Sequence, residues 1–329
     1  MIKTVRNLSF LLVLAGLVSC GGTSSALPTT SATPKEIIQI QSPGTISKSY
    51  FENDTEASTF KIDMYDYIDP NGVEGVEFIP TCSNKDCVTL TVEDEHIIKG
   101  VLNDVQGNFS LTVQVKVKGV LKKALTFSLA ATEIKRVACI GDSLTAGHSW
   151  AKESYPVYLQ QEFTSNITVN NYGKNGANIT SYGGSGSNYQ YTKLSEYTNS
   201  KNFKPNVAVI MLGTNDATQW ANARATFTEL YRSLINEYLA LNAKVIIVTS
   251  PPTIFPNEFS IPNEEIKNYV NPIQREIAEE LDLPLVDARE EFENHPDGIS
   301  SLLRSDKVHL SVKGAQFIAD LIAEKIKTL

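Results

Sequence analysis

The sequence predicts an α/β domain on a parallel sheet over residues 135–329, preceded by an all-β, immunoglobulin-like sandwich over residues 35–132. Two observations carry this. Upstream of Lys135 apolar residues alternate with period two and no stretch holds a convincing helical period. Downstream, short apolar runs alternate with amphipathic segments, the pattern of strands buried on both faces and covered by helices.

The first 34 residues belong to neither pattern. Residues 1–19 read as an export signal: Lys3 and Arg6 precede an apolar run, Leu8 to Val18, too short to span a bilayer. The run ends in Leu17-Val18-Ser19-Cys20, which resembles the lipobox of bacterial lipoproteins. That resemblance implies a lipid on Cys20, anchorage in the cell envelope and, because Gly21 rather than Asp follows, the outer membrane. Residues 20–34, rich in Ser, Thr, Gly and Pro, cannot bury enough apolar surface to fold and read as a tether.

In the sandwich region the segments EIIQIQ, STFKIDMYDYI, CVTLTV, NFSLTVQVKV and ALTFSLAA are separated by turn signals such as Asp69-Pro70-Asn71-Gly72. Antiparallel pairing is expected. His96 reads as a surface strand residue, and no catalytic constellation is present. Such a module serves as spacer and packing partner or as a carbohydrate binder.

In the second region RVACIG, ITVNNY, VAVIML, KVIIVTS and PLVDA are the expected strands. Phe227, Leu230, Leu234, Tyr238 and Leu241 define one helix face, and Ile266, Val270, Ile273, Ile277 and Leu281 another, with Pro272 expected to kink or delimit it. Val312, Ala315, Ile318, Ile322 and Ile326 define the last. A parallel sheet of this kind places its ligand crevice at the carboxyl ends of the strands.

The formal charge is −8, and about −10 without Lys3 and Arg6. With no basic stripe, nucleic acid is excluded as a partner. Cys82 and Cys87 bracket a turn-like tetrapeptide; in an oxidising compartment they form a local disulfide, or else stand as two free thiols. Cys139 reads as a small buried side chain. No HExxH, phosphate-binding loop or GxGxxG is present, so no metal or cofactor is expected, and no GxSxG elbow either.

Chemistry concentrates at the strand ends. The first strand runs into Gly141-Asp142-Ser143-Leu144, which presents a serine hydroxyl beside a helix N-terminus. The second runs into Asn171-Tyr172-Gly173-Lys174-Asn175-Gly176, and the third into Gly213-Thr214-Asn215-Asp216. Gly176 lets the backbone approach a substrate oxygen, and Asn215 can aim an amide N–H at it. Near the C-terminus Asp306 and His309, three apart, can hydrogen-bond so that the carboxylate fixes the imidazole tautomer. A neutral imidazole is the base that a serine hydroxyl requires.

Taken together, Ser143, Gly176, Asn215 and His309, in this order on successive blocks, resemble the GDSL/SGNH hydrolases over residues 135–329. The resemblance implies a flavodoxin-like three-layer fold and an esterase with Ser143 as nucleophile, His309 as base and Asp306 as orienter. It implies an oxyanion hole of the Ser143 and Gly176 backbone N–H groups and the Asn215 side chain. Leu310 stands where many relatives have Pro. The segment from Met211 to Gly314 is similar to the family's carbohydrate acetylesterases, so the expected partner is a short-acyl ester on a glycan. A lysophospholipase or thioesterase on longer chains, or a silent glycan-binding lipoprotein, are the alternatives. His148 lacks an acid at a fitting offset, and His295-Pro296-Asp297-Gly298 reads as a surface turn. Tyrosines in the loop 182–191 either stack on a sugar or sit in solvent, and Trp220 either lines the pocket or packs in the core.

Overall fold

The computed structural model describes residues 35–50, 58–103, 106–163, 166–183 and 186–329. The expected leader, the lipid-bearing Cys20 and the tether lie outside the described residues. Among the described residues no helix is long and apolar enough to cross a membrane.

The strands are, in order, β1 Ile38–Gln39, β2 Thr45–Tyr50, β3 Thr59–Asp63, β4 Ile68–Asp69, β5 Val76–Cys82, β6 Val88–Glu93, β7 Ile97–Leu102, β8 Gly107–Val117 and β9 Val120–Glu133. They continue with β10 Arg136–Gly141, β11 Thr168–Gly173, β12 Val207–Met211, β13 Lys244–Val248 and β14 Leu285–Val286.

The N-terminal part is a sandwich. One sheet has the order β2-β9-β8-β5 and the other β3-β7-β6. Phe60, Ile62 and Ile98 of the second sheet share one core with Phe78, Leu111, Val113, Phe127 and Leu129 of the first. The pairing is antiparallel except for β2, which runs parallel to β9 at the sheet edge. The next strand in sequence, β3, lies in the opposite sheet, so no hairpin forces β2 into the antiparallel direction. The expected strand over 58–68 is broken by a 3₁₀ turn at Met64–Asp66. His96 lies in the β6–β7 turn and stacks on Tyr65 with ring centres 4.2 Å apart. The thiols of Cys82 and Cys87 are free, with their Sγ atoms 2.9 Å apart.

The C-terminal part has a five-stranded parallel sheet in the order β11-β10-β12-β13-β14. Numbered within the domain this is 2-1-3-4-5, the flavodoxin-like order, whose switch point lies between β10 and β12. Alternate side chains feed two cores. Val137, Cys139, Val207, Val209, Ile246 and Val248 point to one side, and Ala138, Ile140, Ala208, Ile210, Val245 and Ile247 to the other. The first face is closed by the helix Val312–Lys327, whose Ile318, Ile322 and Ile326 are fully buried. Each such side chain contributes roughly 1.5–3 kcal/mol. Ser311 caps this helix, its hydroxyl accepting from the Gly314 N–H at 3.2 Å. Val312, expected on the buried face, is exposed in its first turn.

The opposite face is closed by the helix Phe227–Leu239 through Phe227, Tyr231, Leu234 and Tyr238. Leu241, expected on that face, lies past the helix end and is exposed. Pro272 delimits a helix as its missing N–H requires: a π turn over Ile266–Val270 gives way to an α-helix over Asn271–Glu280, with the proline in its first turn. The sandwich docks on the end of the last helix, where the Ser49 N–H donates to the Leu329 carbonyl at 3.0 Å.

Candidate active site

Three of the expected residues stand where strands of the parallel sheet end. Ser143 follows β10 and opens a one-turn helix, Ser143–Ala146, capped by Asp142, whose Oδ1 accepts from the Leu144 N–H at 2.9 Å. Gly147 closes the turn in the left-handed conformation. Gly176 follows β11 with φ 78°, a conformation that favours glycine. Gly173, at the end of β11, leaves room for the nucleophile turn: a Cβ there would lie 2.2 Å from the Ala146 nitrogen. Asn215 follows β12 and donates from Nδ2 to the Ala177 carbonyl at 2.8 Å, which leaves its second amide hydrogen for the cavity.

The fourth block arrives from the loop before the last helix. His309 Nε2 lies 2.9 Å from Ser143 Oγ, and His309 Nδ1 lies 2.9 Å from Asp306 Oδ2. The other carboxylate oxygen, Oδ1, accepts from the Val308 N–H at 2.9 Å and the His309 N–H at 2.8 Å. The side chain of Asp306 is therefore fixed by the backbone of the segment that it orients.

Ser143, Asp306 and His309 are all buried. Burial lowers the pKa of His309, although the Asp306 carboxylate pulls the other way; His148 and Arg304 add to the lowering. The imidazole is thus held neutral, ready to accept a proton. Burial alone raises Asp306, but the two backbone N–H groups and the His309 ring outweigh it and hold the carboxyl below its ordinary value.

Two further carboxylates lie beneath the site. Asp142 is pushed up to about 7 by burial, against the Leu144 N–H and with help from the charge of Asp216. Asp216, fully buried and raised by burial, accepts from the N–H groups of Ile179 and Thr180 at 2.8 Å each and from the Thr180 hydroxyl at 2.7 Å.

Ser143, Gly176, Asn215 and His309 open together on a cavity of about 330 Å³, completed by His148, Asn175, Tyr189, Thr218, Phe259 and Ile261. Of the loop tyrosines Tyr189 lines it, whereas Tyr191 is buried and donates to the Tyr172 carbonyl. Trp220 packs instead, stacked on Tyr269 and edge-on to Phe227. Thr218, Phe259 and Ile261 are the lining residues that motif reasoning missed, and His148 is one that it weighed and set aside. His148 stood in the serine block itself, and its proximity to Ser143 was the available signal. Among the described residues no group of three or more His, Cys, Asp or Glu side chains is placed to hold a metal.

A hydroxyl, an imidazole and a carboxylate in line, with amide donors across a small cavity, are an arrangement that can attack a carboxylic ester. The chain belongs to the GDSL-like lipase/acylhydrolase family, whose sequence profile matches residues 139–317. It is 29% identical over 215 residues to an acetylxylan esterase of Xylanibacter ruminicola, an alignment covering 58% of this chain and 43% of that protein. The chain thus spans less than half the length of that relative. Among solved structures it is similar to a lipase/acylhydrolase from Enterococcus faecalis, at 24% identity and TM-score 0.49 over 59% of this chain and 96% of that one. It is also similar to a carbohydrate acetylesterase from Sinorhizobium meliloti, at 18% identity and TM-score 0.48 over 58% of this chain and 98% of that one.

Proposed function

We propose that the protein removes short acyl groups, acetyl above all, from a carbohydrate. Ser143 Oγ attacks the ester carbonyl while His309 Nε2 takes its proton, and Asp306 holds the imidazole and its charged form in place. The developing oxyanion is met by the Ser143 and Gly176 backbone N–H groups and the free amide hydrogen of Asn215. His309 then returns the proton to the leaving sugar hydroxyl, and water repeats the cycle on the acyl-enzyme.

The observation that carries the acyl-length reading is the lining of the cavity. Apart from Phe259 and Ile261 its walls are hydroxyls, amides, imidazoles, a tyrosine and a glycine backbone. A long acyl chain needs an extended apolar groove, since burial of each CH₂ is what holds it, at about 0.8 kcal/mol apiece. The acetylxylan esterase relative supports a sugar as the alcohol. Anchorage in the bacterial envelope through Cys20 belongs to the same proposal and rests on residues 3–20 of the sequence.

The test is acetate release from an acetylated xylo-oligosaccharide, set against fatty-acid release from a lysophospholipid. Acetate release alone supports the proposal; fatty-acid release alone replaces the sugar by a lipid.

A further inference from the structure

His148 connects the nucleophile to the base. Its backbone N–H donates to the Ser143 carbonyl at 3.0 Å, beside the Gly147 N–H at 2.9 Å. Its ring lies on the ring of His309, centres 4.2 Å apart and planes within 15°. Phe259 meets both rings edge-on, at 5.6 Å from His148 and 4.9 Å from His309. Directly after the left-handed Gly147, His148 is itself left-handed, with φ 46°.

We infer that His148 is a positioning residue for the catalytic base, which keeps the His309 ring in the plane shared by Asp306 and Ser143. The inference rests on the assignment of Ser143 and His309 proposed above. A flat ring against one face of His309 and the edge of Phe259 against it leave the imidazole little freedom to rotate out of line, and a base out of line loses rate steeply.

The other charges around the stack are fixed. Asp306 stands behind His309 and stabilises the imidazolium. Arg304 lies over the Trp150 ring at 3.9 Å and is paired with Glu153, and Trp150 in turn lies 5.8 Å from His148. His148 is half-buried in the cavity wall.

The test is kcat and KM on p-nitrophenyl acetate for the wild type, H148A, H148F and S143A. H148A removes ring and charge, and kcat is expected to fall about tenfold with KM little changed. H148F restores a flat ring and is expected to recover most of that loss. An H148F enzyme as impaired as H148A overturns the inference. If H148A does not fold, H148L, bulky but without a flat ring, takes its place. Wild-type turnover equal to that of S143A overturns the nucleophile assignment instead, and with it this inference.

Discussion

Asp216 ties the loop behind Gly176 to the end of the third strand of the parallel sheet: its two carboxylate oxygens accept from the backbone N–H groups of Thr180 and Ile179, at 2.8 Å each. The loop that carries Gly176 is thereby tied to the residue that follows Asn215.

Removing that acceptor leaves two backbone N–H groups and the Thr180 hydroxyl buried without their partner. D216A is expected to lose about 2–4 kcal/mol in denaturant unfolding, the cost of orphaned donors offset in part by the removal of a buried charge. D216N keeps one acceptor oxygen and should fold better than D216A, with kcat reduced on the order of 10 to 100-fold by the displaced Gly176 donor. Wild-type kcat in D216N contradicts the role assigned to this clip.

Substitutions of the three in-line residues should rank by chemistry. S143A and H309A are each expected to lose about ten thousandfold or more in kcat, and combining them should cost little extra, because they act as a unit. D306N should lose at least about tenfold less than H309A, since Asp306 orients and stabilises but does not itself move a proton. An equal or greater loss in D306N contradicts the ranking.

The pH dependence of stability carries a signature of Asp142. Its folded pKa, about 7, lies above the ordinary carboxyl value of 3.8. Between these values the folded chain holds a proton that the unfolded chain has released, so this group lowers stability as pH rises from about 4 to 7. D142N cannot ionise and still offers an acceptor to the Leu144 N–H. Its stability relative to the wild type is therefore expected to rise with pH across that window, by up to about 4 kcal/mol, and to level off above it. Urea unfolding at several pH values measures this; a difference that is flat with pH contradicts it.

The C-terminal half was legible because its signals are local. Runs such as VAVIM, buried on both faces, have few alternatives to a central parallel strand, and the site residues stand just beyond them. The sandwich was harder to read. β5 contains Pro80, which is tolerated because β5 is an edge strand, yet in sequence it reads as a breaker. β7 contains Gly100, which leaves space for the Phe60 ring across the strand pair; a Cβ there would meet that ring at 2.2 Å. Phe259 and Ile261 were illegible for another reason. Their contacts depend on where distant loops return to the sheet, which no periodicity encodes.

The measurement closest to the central claim is hydrolysis of p-nitrophenyl acetate, butyrate and octanoate by residues 35–329, with S143A alongside. The account expects turnover that is highest on acetate, falls with chain length and is lost in S143A. Octanoate preference contradicts the short-acyl reading, and undiminished turnover in S143A contradicts the serine mechanism itself.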